Sequence, residues 1–193
     1  MPSRPSYPGR RLRHGVVLIG LVAAATLFAG CGGSESAAPK PETGSFNQTG
    51  FDITFDYPSD LTETTELKFG TTAGSTDAAR AAVGIDRDNM ILVSRYDLRR
   101  PVTTANVGAV KPEVDGVIRQ LAGSPMDGAR IDVGGLPGYR YRVPLPAPAG
   151  GVSRVYVLFD RKVEYFLNCQ STPESRDRLD RACDRALDTL HRA

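Results

Sequence analysis

The sequence predicts an α+β domain built on a single antiparallel β-sheet of about six to seven strands, with one helix in mid-chain and another at the C-terminus. Three observations support this fold class. Several segments alternate apolar and polar residues, which is the strand period, whereas two carry apolar residues at helical spacing. Short turn-forming stretches join most of the strand-like segments, and short connections favour antiparallel pairing. The chain of 193 residues is long enough for one domain with a core, predicted over residues 46–193.

The first predicted strand covers residues 51–57, which alternate strictly and end at Pro58. Further strands are predicted at 66–70, 79–85 and 90–98. The last two flank the sequence Asp86-Arg87-Asp88-Asn89, whose residue types favour a hairpin turn. A calcium site at Asp86 and Asp88 is the alternative, but the ligand spacing of an EF-hand loop is missing.

Apolar residues at helical spacing predict the first helix over residues 107–121, with Gly123 as its end signal. Four strands are predicted after it, at 129–133, 139–145, 154–159 and 163–169. They are separated by residues 134–138, by a loop around Gly150-Gly151 and by residues 160–162, all rich in turn-forming types. These connections predict an antiparallel meander.

The C-terminal helix is predicted to begin near Ser171, because Ser171 and Glu174 form a capping-box pattern and Pro173 suits a first helical turn. Its apolar stripe would face the sheet and consists of Leu179, Cys183, Ala186, Leu187 and Leu190.

A disulfide between Cys169 and Cys183 is geometrically reasonable, since Cys169 is predicted on the strand face that this helix covers. It would close a loop of roughly 15 residues and contribute about 3 kcal/mol in the chain-entropy model. The alternatives are a metal site or a reactive thiol, and the lack of a nearby His argues against metal.

Residues 1–30 have the composition of a secretory signal peptide. Arg10, Arg11 and Arg13 precede an apolar run of 14 residues from Val16 to Ala29, and small residues follow it. A membrane-spanning or buried helix is the alternative, but the run is shorter than the ~20 residues that cross a bilayer. Without residues 1–30, the net charge changes from +2 to −2, so the remaining chain has no basic excess for nucleic acid.

The sequence Leu27-Phe28-Ala29-Gly30-Cys31 resembles the bacterial lipobox, although Phe28 stands where Leu, Val or Ile is usual. The resemblance implies that Cys31 is acylated and anchors the protein in the cell membrane on its extracytoplasmic side. Residues 31–45 are mostly small or polar and are predicted to form a flexible tether between the lipid and the folded domain.

Two longer patterns resemble known families. The opening strand Phe51-x-Ile53-x-Phe55-x-Tyr57-Pro58, the mid-chain helix, and Gly-Leu-Pro-Gly-Tyr-Arg-Tyr at 135–141 resemble the PsbP-like fold. The ending Cys-Gln-Ser-Thr-Pro-Glu at 169–174, followed by a helix that carries the second Cys, is similar to the LpqN-type lipoproteins of actinobacteria. The resemblance covers residues 46–192, with Leu61 near the place where relatives often have Trp. It implies an α/β/α sandwich and non-enzymatic binding or scaffolding at the cell envelope, and it transfers no catalytic residues.

Catalytic groups are scarce in the sequence. His14 lies in the predicted signal peptide, His191 lies three residues from the end, and no hydrolase, metalloprotease or phosphate-loop motif is present. The sequence therefore predicts no enzyme, no cofactor and no metal site. Ordinary sheet packing is favoured over a ligand groove for Tyr139, Tyr141, Tyr156 and Tyr165, and a basic patch or a solvated sheet face explains Arg140, Arg142 and Arg154 equally well.

The predicted function is that of an envelope lipoprotein that binds a protein partner. The alternative is a carrier or sensor of a lipid or other small apolar ligand. That alternative predicts a cavity of at least ~300 Å³ between a helix and the sheet.

Overall fold

The computed structural model describes residues 43–65, 79–145 and 150–193. The predicted signal peptide, Cys31, residues 31–42 of the predicted tether and the strand predicted at 66–70 lie outside the described residues. In the described ranges, no helix is both long enough and apolar enough to cross a membrane.

The main sheet has six elements, all paired antiparallel, in the order β3-β4-β5-β8-β7-β6. They are β3 (Thr62–Thr64), β4 (Ala79–Asp86), β5 (Asn89–Val102), β6 (Ala129–Val133), β7 (Leu136–Pro144) and β8 (Val152–Ser171). The predicted α+β fold class, an antiparallel sheet with a mid-chain helix and a C-terminal helix, is confirmed.

A second, three-stranded sheet was not predicted. It has the order β1-β2-β9, formed by β1 (Thr43–Phe46), β2 (Ile53–Pro58) and β9 (His191–Arg192). The expected single sheet is therefore corrected to two sheets. The second sheet could not be predicted, because β9 is only two residues long and has no alternation of apolar and polar residues. Residues 43–45, predicted as the end of the tether, belong to β1, where Gly44 pairs with Tyr57 and Phe46 with Phe55.

Strand β8 folds back on itself near its middle. Ser153 donates a hydrogen bond from Oγ to Oδ1 of Asn168, although the two residues are 15 positions apart. In a straight strand they would be separated by roughly 50 Å. Arg161, with φ of 54°, marks the turn. The predicted strands at 154–159 and 163–169 are thus the two arms of β8, which pair with β7 and β5 respectively and complete the predicted meander.

Two hairpin turns are set by local chemistry. The Asp86 carboxylate accepts hydrogen bonds from the backbone nitrogens of Asp88 and Asn89, at 2.8 and 2.9 Å, which confirms the hairpin predicted between β4 and β5. Gly134 and Gly135, with φ of 58° and 75°, turn the chain from β6 into β7. Strand β7 then begins at Leu136, so the predicted five-residue loop at 134–138 is shorter than expected.

The mid-chain helix begins with a 3-10 turn at Val107–Val110 and continues as α1 (Lys111–Ala122), which ends at Gly123 as predicted, with φ of 70°. Helix α2 (Arg176–Thr189) starts later than predicted, and the capping box is absent. The reason is that β8 extends to Ser171, whose side chain is buried in the sheet.

The helices cover opposite faces of the main sheet. Val114 and Ile118 of α1 pack with Tyr139, Tyr141, Val155 and Val157. The intervening residues Tyr156 and Leu158 point the other way and pack with Ala182, Cys183 and Ala186 of α2, in a cluster that also contains residues of β1 and β2. The result is a helix on each side of the sheet.

Candidate functional site

The cysteine pair joins the end of the sheet to helix α2. Cys169 in β8 and Cys183 in α2 form a disulfide with an S–S distance of 1.99 Å and a Cα–Cα distance of 6.1 Å. Cys183 is fully buried and lies on the inner stripe of α2, as the helical spacing indicated. The bond closes a loop that contains the turn between β8 and α2.

The four tyrosines divide between the two faces of the sheet. Tyr139 and Tyr141 belong to the α1 cluster, and Tyr156 and Tyr165 belong to the α2 cluster. They therefore do not line one groove, and each pair contributes to packing as the alternation predicts.

Of the three arginines considered as a basic patch, Arg154 is neutralised. Its guanidinium lies 3.4 Å from Asp180 and 2.5 Å from Asp184, both on α2. Arg140 and Arg142 are exposed on the same sheet face. Of the two interpretations left open, a patch of three free cations is therefore excluded, because α2 supplies two carboxylates to Arg154.

Two tyrosine hydroxyls of strand β7 bind the 3-10 turn and helix α1. Tyr139 donates to the carbonyl oxygen of Val107 at 3.1 Å, and Tyr141 donates to Oδ1 of Asp115 at 2.6 Å. The ammonium group of Lys111 binds Oδ2 of the same aspartate at 2.7 Å. These contacts fix the edge of α1 that carries Lys111 and Asp115.

The charge states of Asp115 and Tyr141 are well defined. The hydrogen bond from Lys111, followed by that from Tyr141, lowers the pKa of Asp115 below its ordinary value. Burial, followed by the hydrogen bond to Asp115, raises the pKa of Tyr141 above its ordinary value. Asp115 is therefore ionised and Tyr141 keeps its proton, which is the combination that makes a strong charge-assisted hydrogen bond.

A cleft runs along the opposite edge of α1. It has a volume of about 160 Å³ and lies between the helix, the end of β5 and both arms of β8. Its walls are mainly apolar and include Leu98, Val102, Val114, Val117, Val157 and Phe166.

The rim of the cleft exposes apolar surface. Val117, which lines the cleft, is 51% exposed, and Leu121, one helical turn further along α1, is 46% exposed. Large apolar side chains that remain open to solvent beside a cleft are a common mark of a binding surface.

Two carboxyl groups also line the cleft, Glu164 of β8 and Glu113 of α1. Burial, with a smaller contribution from the negative charge of Glu113, raises the pKa of Glu164 from 4.5 to about 7. Among the described residues, no hydrogen bond or ion pair engages the Glu164 carboxyl group. Glu164 is thus a partly desolvated acid with no ion-pair partner in the part of the chain that the structure describes.

Sequence reasoning missed Glu164, although a signal was present. The alternation in the last predicted strand puts Val163, Tyr165 and Leu167 on one face, so Glu164 and Phe166 must share the other. That other face is the one that α1 covers. An acidic residue that shares a covered sheet face with Phe166 is the signal that could have identified Glu164 as a candidate site residue.

The remaining predicted candidates contribute no second site. His191 is exposed in β9, where its ring Nδ1 lies 2.8 Å from the carbonyl oxygen of Thr189. Across the ranges that the structure describes, His, Cys, Asp and Glu side chains form no group of three or more that could hold a metal ion.

Comparison with solved structures identifies the fold. The solution structure of cyanobacterial PsbP (CyanoP) from Synechocystis sp. PCC 6803 matches with a TM-score of 0.53 over 86% of this chain and 98% of that chain, at 14% sequence identity. The chain has a PsbP-like fold. At this identity the match establishes the architecture of the PsbP-like domain, in which α1 and α2 flank the sheet.

Two other structures are similar at lower scores. A protein from Bacteroides thetaiotaomicron VPI-5482 matches with a TM-score of 0.48 at 10% identity, over 77% of this chain and 48% of that one. The Ran-binding protein Mog1p of Saccharomyces cerevisiae matches with a TM-score of 0.45 at 13% identity, over 79% and 96% of the two chains. No protein-family model matches the sequence. No curated protein matches it either.

Proposed function

We propose that this protein is a non-enzymatic lipoprotein of the cell envelope, anchored through Cys31, whose PsbP-like domain binds a protein partner at the cleft beside α1. The partner would be another envelope protein at the outer face of the cytoplasmic membrane. The similarity of the sequence at 169–174 and of the helix after it to LpqN-type lipoproteins agrees with this assignment.

The observation that carries the proposal is the size and openness of the cleft. Pockets that enclose small ligands have volumes of about 300–1,000 Å³ and bury most of the ligand surface. The cleft measures about 160 Å³, and its rim exposes Val117 and Leu121. A groove with these features accepts a side chain of a protein that covers the rim, and it is too small for an enclosed lipid.

The pairing of the cysteines supports the proposed place of the protein outside the cytoplasm. With Cys31 assigned to lipid, the remaining two form the Cys169–Cys183 disulfide, and structural disulfides are typical of proteins outside the cytoplasm. Replacement of Cys31 by Ser should move the protein from the membrane fraction to the soluble fraction of fractionated cells. Retention of the Cys31→Ser variant in washed membranes would contradict the anchor.

Site-specific photo-crosslinking in living cells tests the binding part. A benzophenone amino acid is introduced at position 117, on the cleft rim, and in a matched control at position 181, an exposed position on α2. We expect a reproducible adduct with one protein from position 117, at a yield about 10-fold above that of the same adduct from position 181. Equal adducts from both positions, or none from position 117, would contradict the proposed docking surface.

A further inference from the structure

The cleft beside α1 combines an apolar wall with two carboxyl groups that have no ion-pair partner among the described residues. Glu164 lies at its side on the second arm of β8, and Glu113 lines it from the helix. The other charged side chains of α1 lie on the opposite edge of the helix: Lys111 binds Asp115 and lies near Asp127, and Arg119 lies one turn beyond Asp115, whose pKa it helps to lower.

Among the described residues no ion pair joins a cation to Glu164, although the exposed Lys162 lies two positions before it on the same arm of β8. The partner of Glu164 across the strand pair with β5 is Tyr96, and Leu98 and Val102 of β5 complete that wall. The first arm of β8 contributes Val157 and Phe159. A carboxylate in such surroundings is costly to keep unpaired, and a cation that enters the cleft would remove that cost.

The dimensions of the cleft select the kind of cation. A volume of about 160 Å³ is roughly half the lower limit for small-ligand pockets, which suits one long side chain. Lysine and arginine have an apolar stem that contacts apolar walls and a cationic tip that pairs with carboxylates. An anion would be repelled by both acids, and a purely apolar group would leave the carboxylate of Glu164 unpaired.

We propose that the cleft receives a lysine or arginine side chain of the partner protein, which pairs with Glu164, while apolar residues beside it in the partner cover Val117 and Leu121. This inference rests on the proposed function and specifies the chemistry of the segment that docks there. The two exposed apolar side chains lie one turn apart on α1, so they match a partner helix with its own apolar stripe.

The test uses the full-length lipidated chain in phosphatidylcholine nanodiscs, which carry no net lipid charge. Two fluorescent peptides are compared: Leu-Ala-Ala-Leu-Lys-Ala-Ala-Leu and the same sequence with Gln in place of Lys. The loaded nanodiscs are titrated into each peptide and binding is measured by fluorescence anisotropy, with empty nanodiscs as the blank. Because a hydrogen bond to a charged group contributes about 1.5–3 kcal/mol, we expect the Lys peptide to bind about 10-fold or more tightly than the Gln peptide.

Two variants identify the carboxyl group responsible. Glu164→Gln should bring the affinity ratio of the two peptides close to 1, whereas Asp188→Asn, at an exposed position of α2, should leave the ratio unchanged. In cells, Glu164→Gln should also lower the yield of the adduct from position 117 by about 10-fold.

Each outcome bears on one proposal. Equal binding of both peptides, a ratio that Glu164→Gln leaves unchanged, or no binding of either peptide would overturn the basic-side-chain inference. The docking surface itself would still stand if position 117 gave its specific adduct. An adduct from position 117 that contains only a second copy of this chain would overturn the assignment to a separate partner.

Discussion

The hydroxyl group of Tyr141 lies 2.6 Å from Oδ1 of Asp115, and this hydrogen bond holds helix α1 against strand β7 on the edge opposite the cleft. On a helical projection, Lys111 and Asp115 lie on one edge of α1, and Glu113 and Val117 lie on the other. One edge of the helix is therefore fixed by charged hydrogen bonds, and the other lines a cleft that is open to solvent.

The first prediction concerns that hydrogen bond. Tyr141→Phe removes the donor to an ionised carboxylate and should lower the free energy of unfolding by about 1–2 kcal/mol, measured by urea denaturation. Tyr96→Phe is the matched control, because no hydrogen bond of the Tyr96 hydroxyl is found among the described residues, and it should change stability by less than about 0.5 kcal/mol. Equal effects of the two substitutions would contradict the anchoring role of Tyr141.

The second prediction separates two neighbouring glycines of the β6–β7 turn. Both have positive φ, but a Cβ atom at Gly134 would collide with the carbonyl oxygen of Leu190, whereas one at Gly135 would meet only the end of the Arg192 side chain, at 3.5 Å. Gly135→Ala should cost about 1 kcal/mol, and Gly134→Ala about 3 kcal/mol, because backbone must move. Thermal denaturation of the two variants measures the difference, and the opposite order would show that the C-terminal segment does not pack on this turn.

The sequence predicted the elements that depend on local chemistry. The Asp86 turn, the Gly123 helix end and the inner stripe of α2 follow from turn preferences, left-handed φ and helical periodicity, and the structure has all three. The start of α2 could not be predicted correctly, because Ser171 satisfies the capping pattern but is held in β8 by sheet pairing. Tertiary contacts outweighed a local signal there.

The candidate site depended on contacts that local patterns do not contain. Val117 is as apolar as Val114, yet Val114 is buried and Val117 is half exposed. The difference comes from the position of α1 over β7, to which Tyr139 and Tyr141 bind the 3-10 turn and the helix. Periodicity shows that both residues lie near the inner face of the helix. It does not show which of them contacts the sheet and which lies beyond the edge of that contact.

The third prediction concerns the disulfide. A double variant, Cys169→Ala with Cys183→Ala, opens a loop of roughly 15 residues in the denatured state and should lower the free energy of unfolding by about 3 kcal/mol in the chain-entropy model. Dithiothreitol should lower the urea midpoint of the wild-type protein and leave that of the double variant unchanged. If dithiothreitol lowered the urea midpoint of both proteins equally, the loss of stability would not be due to the Cys169–Cys183 disulfide.

The fourth prediction follows from the pKa of Glu164, which burial raises from 4.5 to about 7. A group whose pKa is raised on folding favours the folded state below its unfolded pKa, and this contribution is lost as pH rises through the folded pKa. Glu164 should therefore make the protein less stable as pH increases from about 4.5 to 7, by about 1–3 kcal/mol.

Glu164→Gln removes this titration. Urea denaturation at pH 4.5 should give similar stabilities for the wild type and the variant, whereas at pH 8 the variant should be more stable. Asp188→Asn should follow the wild-type pH profile. Parallel profiles for Glu164→Gln and the wild type would show that Glu164 is not desolvated in the cleft.

The most direct test of the central claim, that the cleft beside α1 is where a protein partner docks, is the ratio of photo-crosslink yields from positions 117 and 181 in living cells. The account predicts one protein adduct that depends on position 117 with a yield about 10-fold above that from position 181. Equal yields from the two positions would contradict it.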